Sequence, residues 1–418
     1  MNNKIKLAVA GAVLASASVA NAGITWSAGD WTVDMNGNVN AFAVFNDNKD
    51  STAAIGGGMA SSAAGDTDND SFAIQTGLLP SWLGFTATTR QNDLDTSVTI
   101  SFQPGTGGNA ALGGGNSGAA GTENRQAFLT FGDKSWGSVK VGKDLGIFGS
   151  TAILNDMTLL GVGGTGAATF ANGVNAAAGS TTTTLGGIGT GYIYADWKGQ
   201  IAYTTPNMNG FSATVGATQP WNTTNLAGAI SANATGSSDA PAFEAQASYA
   251  WTGDFAGKAW VGAFAQDVQG LTGAGIVGST DEDATAFEAG ISATVMNIGL
   301  VAYAYSGDGA GTTGMLSDGF DDTGSSRDSD GGYVQATYVI PMGTKLGIAY
   351  GVSNLDDNAA DAGDNLVKKN DRYTIGAYHP LTKHLNLVAE YSMIESTSHG
   401  VQSKLESENL SIGAILFF

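Results

Sequence analysis

The sequence predicts an all-β chain, a transmembrane antiparallel β-barrel of about 16 strands with short periplasmic turns and long extracellular loops. Three features point there: an export signal at the start, a strict period of two through the rest, and short turns that alternate with long loops.

Lys4 and Lys6 precede an apolar run from Leu7 to Ala15, and small residues then end in Ala20-Asn21-Ala22, an A-x-A cleavage pattern. Residues 1–22 are therefore expected to be a cleaved signal peptide and residues 23–418 the barrel. The run is too short to span a bilayer as a helix, and no later stretch reaches about 18 consecutive apolar residues.

Composition narrows the function. Glycine supplies 62 of 418 residues, about twice the usual share, and charged residues are only 13%. With 42% hydrophobic residues the chain is not disordered throughout. The absence of cysteine excludes disulfides, thiolate metal sites and cysteine nucleophiles. Lys+Arg 17 against Asp+Glu 37 makes a formal charge of −20, about −22 once the signal is removed. A chain this acidic is repelled by a phosphate backbone, so nucleic acid is not an expected partner.

The strands follow from alternation. Trp31, Val33, Met35, Val39, Ala41, Ala43 and Phe45 alternate with Thr32, Asp34, Asn36, Asn38 and Asn40. Phe211 to Ala217, Phe287 to Val295 and Leu410 to Phe418 repeat the texture. No long stripe of helical period with caps occurs. Short turns fall at 91–95, 133–137, 206–210, 252–257, 296–297, 341–344 and 381–384. Between them lie polar, glycine-rich segments at 46–80, 104–124, 144–190, 219–242, 269–284, 306–330, 353–370 and 393–408. Seven turns and eight loops make about 16 strands.

In lipid every backbone N–H and C=O must be paired, so a spanning sheet closes on itself. The outer face then takes the apolar set and the inner face takes Ser, Thr, Asn, Gln and Gly. About 16 strands leave a lumen too wide for side chains to fill, hence an aqueous channel unless something plugs it. Aromatics at strand ends are expected to form interfacial girdles: Trp31, Tyr203, Phe211, Tyr249, Tyr305, Tyr333, Tyr350, Tyr391 and Phe418.

Several segments resemble the general, non-specific porins of the Gram-negative outer membrane. They are SWLGFTATTR (Ser81 to Arg90), NRQAFLTFG (Asn124 to Gly132), WGSVKVGKD (Trp136 to Asp144), IAYTTPNMNGFSATVGA (Ile201 to Ala217), YVQATYVIPMGTKLGIAYG (Tyr333 to Gly351) and NLSIGAILFF (Asn409 to Phe418). The resemblance implies a homotrimer of 16-stranded barrels, each a diffusion pore for ions and small hydrophilic solutes, narrowed by a third loop folded into the lumen. It further implies that the closing strand, ending at Phe418, is what the barrel-assembly machinery reads.

In such porins basic residues on the wall face acids on the third loop across a constriction. The corresponding positions here are Arg125, Lys140, Lys143 and Lys198 on the wall and Asp156 on the loop, which is expected from about Leu145 to Thr190. Trp82 stands where the family has an arginine, and Thr86 where it has a lysine. The expected field is thus weakened. With a strongly acidic mature chain, the pore is expected to prefer cations. Shortening the third loop is expected to admit larger solutes.

Enzyme readings fare poorly. His379, His384 and His399 form no H-E-x-x-H, and the G-x-G-x-x-G matches, as at Gly161/Gly163/Gly166, open no helix. No cofactor is expected. Asp66, Asp68 and Asp70 in DTDND alternate as in calcium loops, so Ca²⁺ or Mg²⁺ binding, bridging lipopolysaccharide phosphates, stands beside a plain solvated loop. A substrate-selective pore and a barrel serving mainly as a surface adhesin remain as alternatives.

Overall fold

The computed structural model describes residues 23–49, 54–60, 70–105, 122–164, 183–223, 233–400 and 404–418; the expected signal peptide, Asp66 and Asp68 lie outside them. Sixteen antiparallel staves close into a barrel. They are β1 (Trp31–Asn48), β2 (Ser71–Gln75 with Trp82–Gln91), β3 (Leu94–Pro104), β4 (Thr122–Glu123 with Ala127–Asp133) and β5 (Gly137–Leu145). Next come β6 (Trp197–Thr204), β7 (Phe211–Thr218), β8 (Thr235–Ser237 with Ala242–Trp251), β9 (Phe255–Thr272), β10 (Thr280–Val295) and β11 (Ile298–Asp308). The ring ends with β12 (Asp328–Val339), β13 (Lys345–Leu355), β14 (Val367–Pro380), β15 (Leu385–Ser398) and β16 (Leu405–Phe417).

Closure joins β16 to β1, from Asn38 opposite Phe417 to Asn48 opposite Ser407. Phe418 completes it: Gly37 N–H donates to the Phe418 carbonyl and Phe418 N–H to the Gly37 carbonyl, both at 3.0 Å. Below that point a short strand, Ile24–Ala28, takes over the same edge of β1, pairing Ile24 with Met35. The turns are tight where the sequence demands it. Asn92 and Asp93 both hold positive φ, 50° and 61°, as a two-residue hairpin requires.

Side-chain parity sorts the two faces. Val39, Ile201, Phe287 and Ile375 are 60, 61, 65 and 63% exposed on the outer face. Alternate positions such as Asn38, Asn40, Thr99, Ser101 and Gln200 are buried inside. An apolar belt this continuous belongs in lipid. Tyr203, Phe211, Tyr249 and Tyr391 lie exposed on it, as the girdle expectation requires. Tyr305 and Tyr333 do not. On β11 the outward residues are even-numbered (Ile298, Leu300), as they are on β12 (Val334, Tyr338), so both tyrosines point inward and are buried. A position near a strand end does not decide the face; parity does.

All seven turns and all eight loops fall where expected, but some loops are shorter. The connection between β9 and β10 is 273–279, not 269–284, and that between β15 and β16 is 399–404, not 393–408. Strands here continue past the apolar belt, with Asp267 opposite Asp283. Above the membrane both faces meet water, so polar residues no longer mark the end of a strand. The third loop runs the other way: it extends to 196, and thus also carries Asp196.

Candidate functional site

The third loop, 146–196, leaves β5 and returns to β6, and its first limb is strung along the inner wall by carboxylates. Glu244 on β8, Glu288 on β10 and Glu390 on β15 each have lumen parity and each is buried. Ile147 and Phe148 N–H groups donate to Glu244 Oε2 at 2.6 and 2.9 Å, and Gly149 N–H to Glu288 Oε2 at 3.0 Å. A short helix α1 (Ser150–Asn155) follows, its Ala152 carbonyl accepting from Tyr333 Oη at 2.7 Å. Gln335 holds the next step, accepting from Met157 N–H at 2.9 Å and donating to the Asn155 carbonyl at 2.7 Å. Val162 and Gly163 N–H groups both donate to Glu390 Oε2 at 2.8 Å, while Tyr378 Oη donates to Oε1 at 2.7 Å. A buried carboxylate is stable only when its lone pairs are filled, and successive backbone amides fill them well.

This explains one glycine pattern. A Cβ on Gly161 would lie 2.1 Å from Glu390 Oε1, and Gly163 has φ +75° with no room for a side chain. Gly161 thus lets the Glu390 carboxylate approach, and Gly163 lets the chain turn against Thr158, Gly186 and Arg372.

Asp156 is the keystone of the limb. Its Oδ1 accepts from Thr158 N–H and Thr158 Oγ1 at 2.9 and 2.8 Å, starting a 3₁₀ turn (Met157–Leu160). Its Oδ2 accepts from Tyr192 Oη at 2.9 Å and from Arg372 Nη2 of β14 at 3.3 Å. Arg372 Nη1 also donates to the Gly163 carbonyl at 2.5 Å. Burial pushes the Tyr192 hydroxyl well above the ordinary tyrosine range, and Asp156 adds to it. The return limb crosses back, with Gly191 N–H on Ser353 Oγ of β13 at 3.0 Å, six residues before Trp197 opens β6.

The expected wall residues separate. Lys140 has lumen parity, is 30% exposed at its side chain, and pairs with Asp144 on its own strand. Lys198 is buried, pairs with Glu244, and sits 5.0 Å over the Trp221 ring. Arg125 is buried, pairs with Glu123 at 2.8 Å, and lies 5.9 Å over Trp197. Trp82 lies on the inner face with its ring across Gly84, and its buried Nε1 has no partner. Lys143 shares the parity of Val139 and Val141 and is exposed on the outer side, because one residue of offset on a strand reverses the face. Lys143 therefore stands apart from the lumen cations. Asp70 is exposed in a groove of about 400 Å³ with Asp47 and Glu408. Among the described residues no group of three or more acids or histidines converges as metal ligands.

Sequence reasoning missed Glu244, Glu288, Glu390, Arg372 and the acids Glu123 and Asp144. The first three could have been found: each is a solitary glutamate at an inward position within an otherwise uncharged alternation, FEAQAS, FEAGIS and VAEYSM.

The family model for Gram-negative porins matches residues 8–399. No curated protein matches the chain. Among solved structures, the outer membrane channel DcaP of Acinetobacter baumannii is similar with a TM-score of 0.65 and 17% identity, over 95% of this chain and 100% of that one. The anion-selective porin from Comamonas acidovorans follows with 0.59 and 16%, over 93 and 100%. Salmonella typhi OmpF in complex with daunomycin has 0.56 and 13%, over 94 and 100%. At these identities the likeness to solved structures establishes the fold.

Proposed function

Because the chain belongs to the Gram-negative porin family, outer-membrane barrels through which solutes diffuse, we propose that its constriction is charge-balanced in place and that its ion preference is for cations. One observation carries this. Each inward cation of the constriction is matched by an adjacent acid: Arg125 with Glu123, Lys140 with Asp144, Lys198 with Glu244, and Arg372 with Asp156. Side-by-side pairs make short dipoles, whose field fades over a few ångströms, where separated layers of opposite charge would hold a field across the opening. Net charge then acts from the rim, where Asp281, Glu282 and Asp283 at the end of β10 beyond the apolar belt are exposed. An acidic vestibule concentrates cations and is screened by salt. Lys258 and Lys345, on the inner face nearer the turn end, oppose it. Reversal potentials across a KCl gradient test the reading: cation preference at low ionic strength that fades at high salt is expected, and anion preference overturns it.

A second reading, a substrate-selective pore, is favoured by the unpartnered indole N–H of Trp82 on the inner wall. Saturation of the current by one solute and not by others of equal size would support it. Absence of any conductance would favour the adhesin. By its family the chain would assemble as a homotrimer, with lipopolysaccharide around it, and the native mass of the detergent-extracted protein tests that. Phe418 would carry the signal for the assembly machinery. Deleting it also removes the last rung to Gly37, so slow insertion with unchanged conductance of the inserted fraction is expected.

A further inference from the structure

We infer that the sixth loop, 309–327, is a second size filter in series with the third loop, and that Arg327 positions it in the mouth of the barrel. The inference rests on the channel reading above.

A hairpin loop above the membrane should be solvated. This one is not: Ala310, Thr313, Met315, Leu316 and Phe320 are all buried. Two contacts locate it. The Thr313 carbonyl accepts from Tyr194 N–H at 2.8 Å, three residues before β6 begins. Thr313 Oγ1 donates to Met59 Sδ at 3.7 Å, and Met59 N–H is itself within 2.9 Å of both Asn370 Oδ1 on β14 and Ser396 Oγ on β15. In a closed ring of sixteen, β6 and β14 are opposite walls. A loop rooted between β11 and β12 that touches the third loop just before β6, and touches Met59 of the first loop where that residue is bonded to β14 and β15, lies across the opening, over the return limb of the third loop.

Arg327 holds it there. Its side chain is fully buried, with Nε and Nη2 on the two oxygens of Asp361 at 2.8 and 2.5 Å. Nη1 donates to Asn233 Oδ1 at 2.7 Å and to the carbonyls of Asp318 and Phe320 at 2.8 and 3.1 Å. One planar guanidinium thus ties the fourth, sixth and seventh loops together, a fork geometry that lysine cannot reproduce. None of these partners is a wall carboxylate that holds the third loop. The sixth loop should therefore be separable from the first limb of the third, its link to the third loop being at Tyr194 on the return limb.

Liposome swelling with neutral saccharides of graded size, alongside single-channel conductance, tests this on the full chain. Arg327→Ala should raise conductance about twofold and admit larger saccharides, because the loop no longer has a fixed seat in the mouth. Arg327→Lys should fall between, keeping the charge but losing the fork. An unchanged cut-off in a correctly assembled Arg327→Ala barrel overturns the proposal. Should that variant not assemble, position is read directly. Met59→Cys with Thr313→Cys, in a chain without other cysteines, should be joined by a short bismaleimide, whose two alkene carbons each take up one thiolate; failure to join them in the assembled barrel also overturns it. A wild-type barrel with no conductance would instead defeat the channel reading and leave the crosslink result standing.

Discussion

The third and sixth loops both turn into the barrel, but they are held by opposite means. The third loop presents backbone amides to carboxylates that grow from the wall: Glu244, Glu288 and Glu390. The sixth presents an arginine to a carboxylate of another loop, Asp361. One is bolted to the sheet, so its position is set by strand register. The other is tied to its neighbours, so it can be released without touching a strand. A barrel whose closed sheet fixes wall residues rigidly can thus carry one filter that is as firm as the sheet and another that is only as firm as its loops.

The strongest way to break this contrast is at Asp156. Asp156→Ala leaves the buried Arg372 guanidinium without its carboxylate, and loss of one partner of a buried pair costs about 3–5 kcal/mol. The first limb of the third loop should detach while the sixth loop keeps its place. Conductance should rise severalfold, with thermal unfolding of the extracted protein at a lower temperature. Unchanged conductance would mean that the limb is held by the glutamates alone.

Glu390→Ala probes those glutamates and should have the next largest effect. It strands the amides of Val162 and Gly163 and the Tyr378 hydroxyl, at about 1–3 kcal/mol for groups left buried without a partner. Glu390→Gln keeps one acceptor oxygen and should recover much of the loss. If both variants open the pore equally, charge rather than hydrogen-bond capacity holds the limb.

The barrel itself was legible because lipid and water impose a period of two on every stave, and each stave repeats the message. The turn at Asn92-Asp93 announces itself by residues that accept positive φ, whereas Met296 holds φ 52° without that signal. The site was legible only in part. Arg125, Lys140, Lys198 and Asp156 stand out in the sequence and their partners do not: Glu244 and Arg372 come from strands far apart in sequence and depend on register, whereas Glu123 and Asp144 lie only two and four residues away and are picked out by shared parity alone. Lys143 and the tyrosines Tyr305 and Tyr333 went astray for one shared reason: each was placed by its distance from a motif or strand end, and only parity tells which side of the sheet a residue meets. The inward course of the sixth loop has no period at all. Its glycines and aspartates look solvated until the fold supplies Arg327.

Selectivity sharpens the comparison at smaller scale. Lys140→Ala frees Asp144 inside the lumen and should strengthen cation preference. Asp144→Ala frees Lys140, the cation with a partly exposed side chain in that pair, and should weaken it. Opposite shifts in reversal potential are expected at low salt; shifts of the same sign would show that the pair does not line the conducting path.

The smallest effect is expected at the neck where the third loop rejoins the sheet. Gly146 N–H donates to the Asp196 carbonyl at 2.8 Å, and Asp196 holds φ 54°, a conformation that asparagine adopts equally well. Burial pushes its carboxyl above the ordinary aspartate value, against the Trp197 N–H bond at 2.7 Å and the charges of Lys198, Lys143 and Arg125. A carboxyl whose folded pKa lies above its unfolded one binds its proton more tightly in the folded chain. The folded state is therefore favoured at this site below the unfolded pKa, and that part is lost as pH rises through the folded value. At neutral pH the ionised group is a small burden. Asp196→Asn keeps the backbone and removes the charge, so it should unfold at a slightly higher temperature than wild type at neutral pH, with the difference vanishing in acid. A lower unfolding temperature at neutral pH would mean that the bond from Trp197 and the nearby cations outweigh burial, and that the neck, like the limb beyond it, is held by a carboxylate.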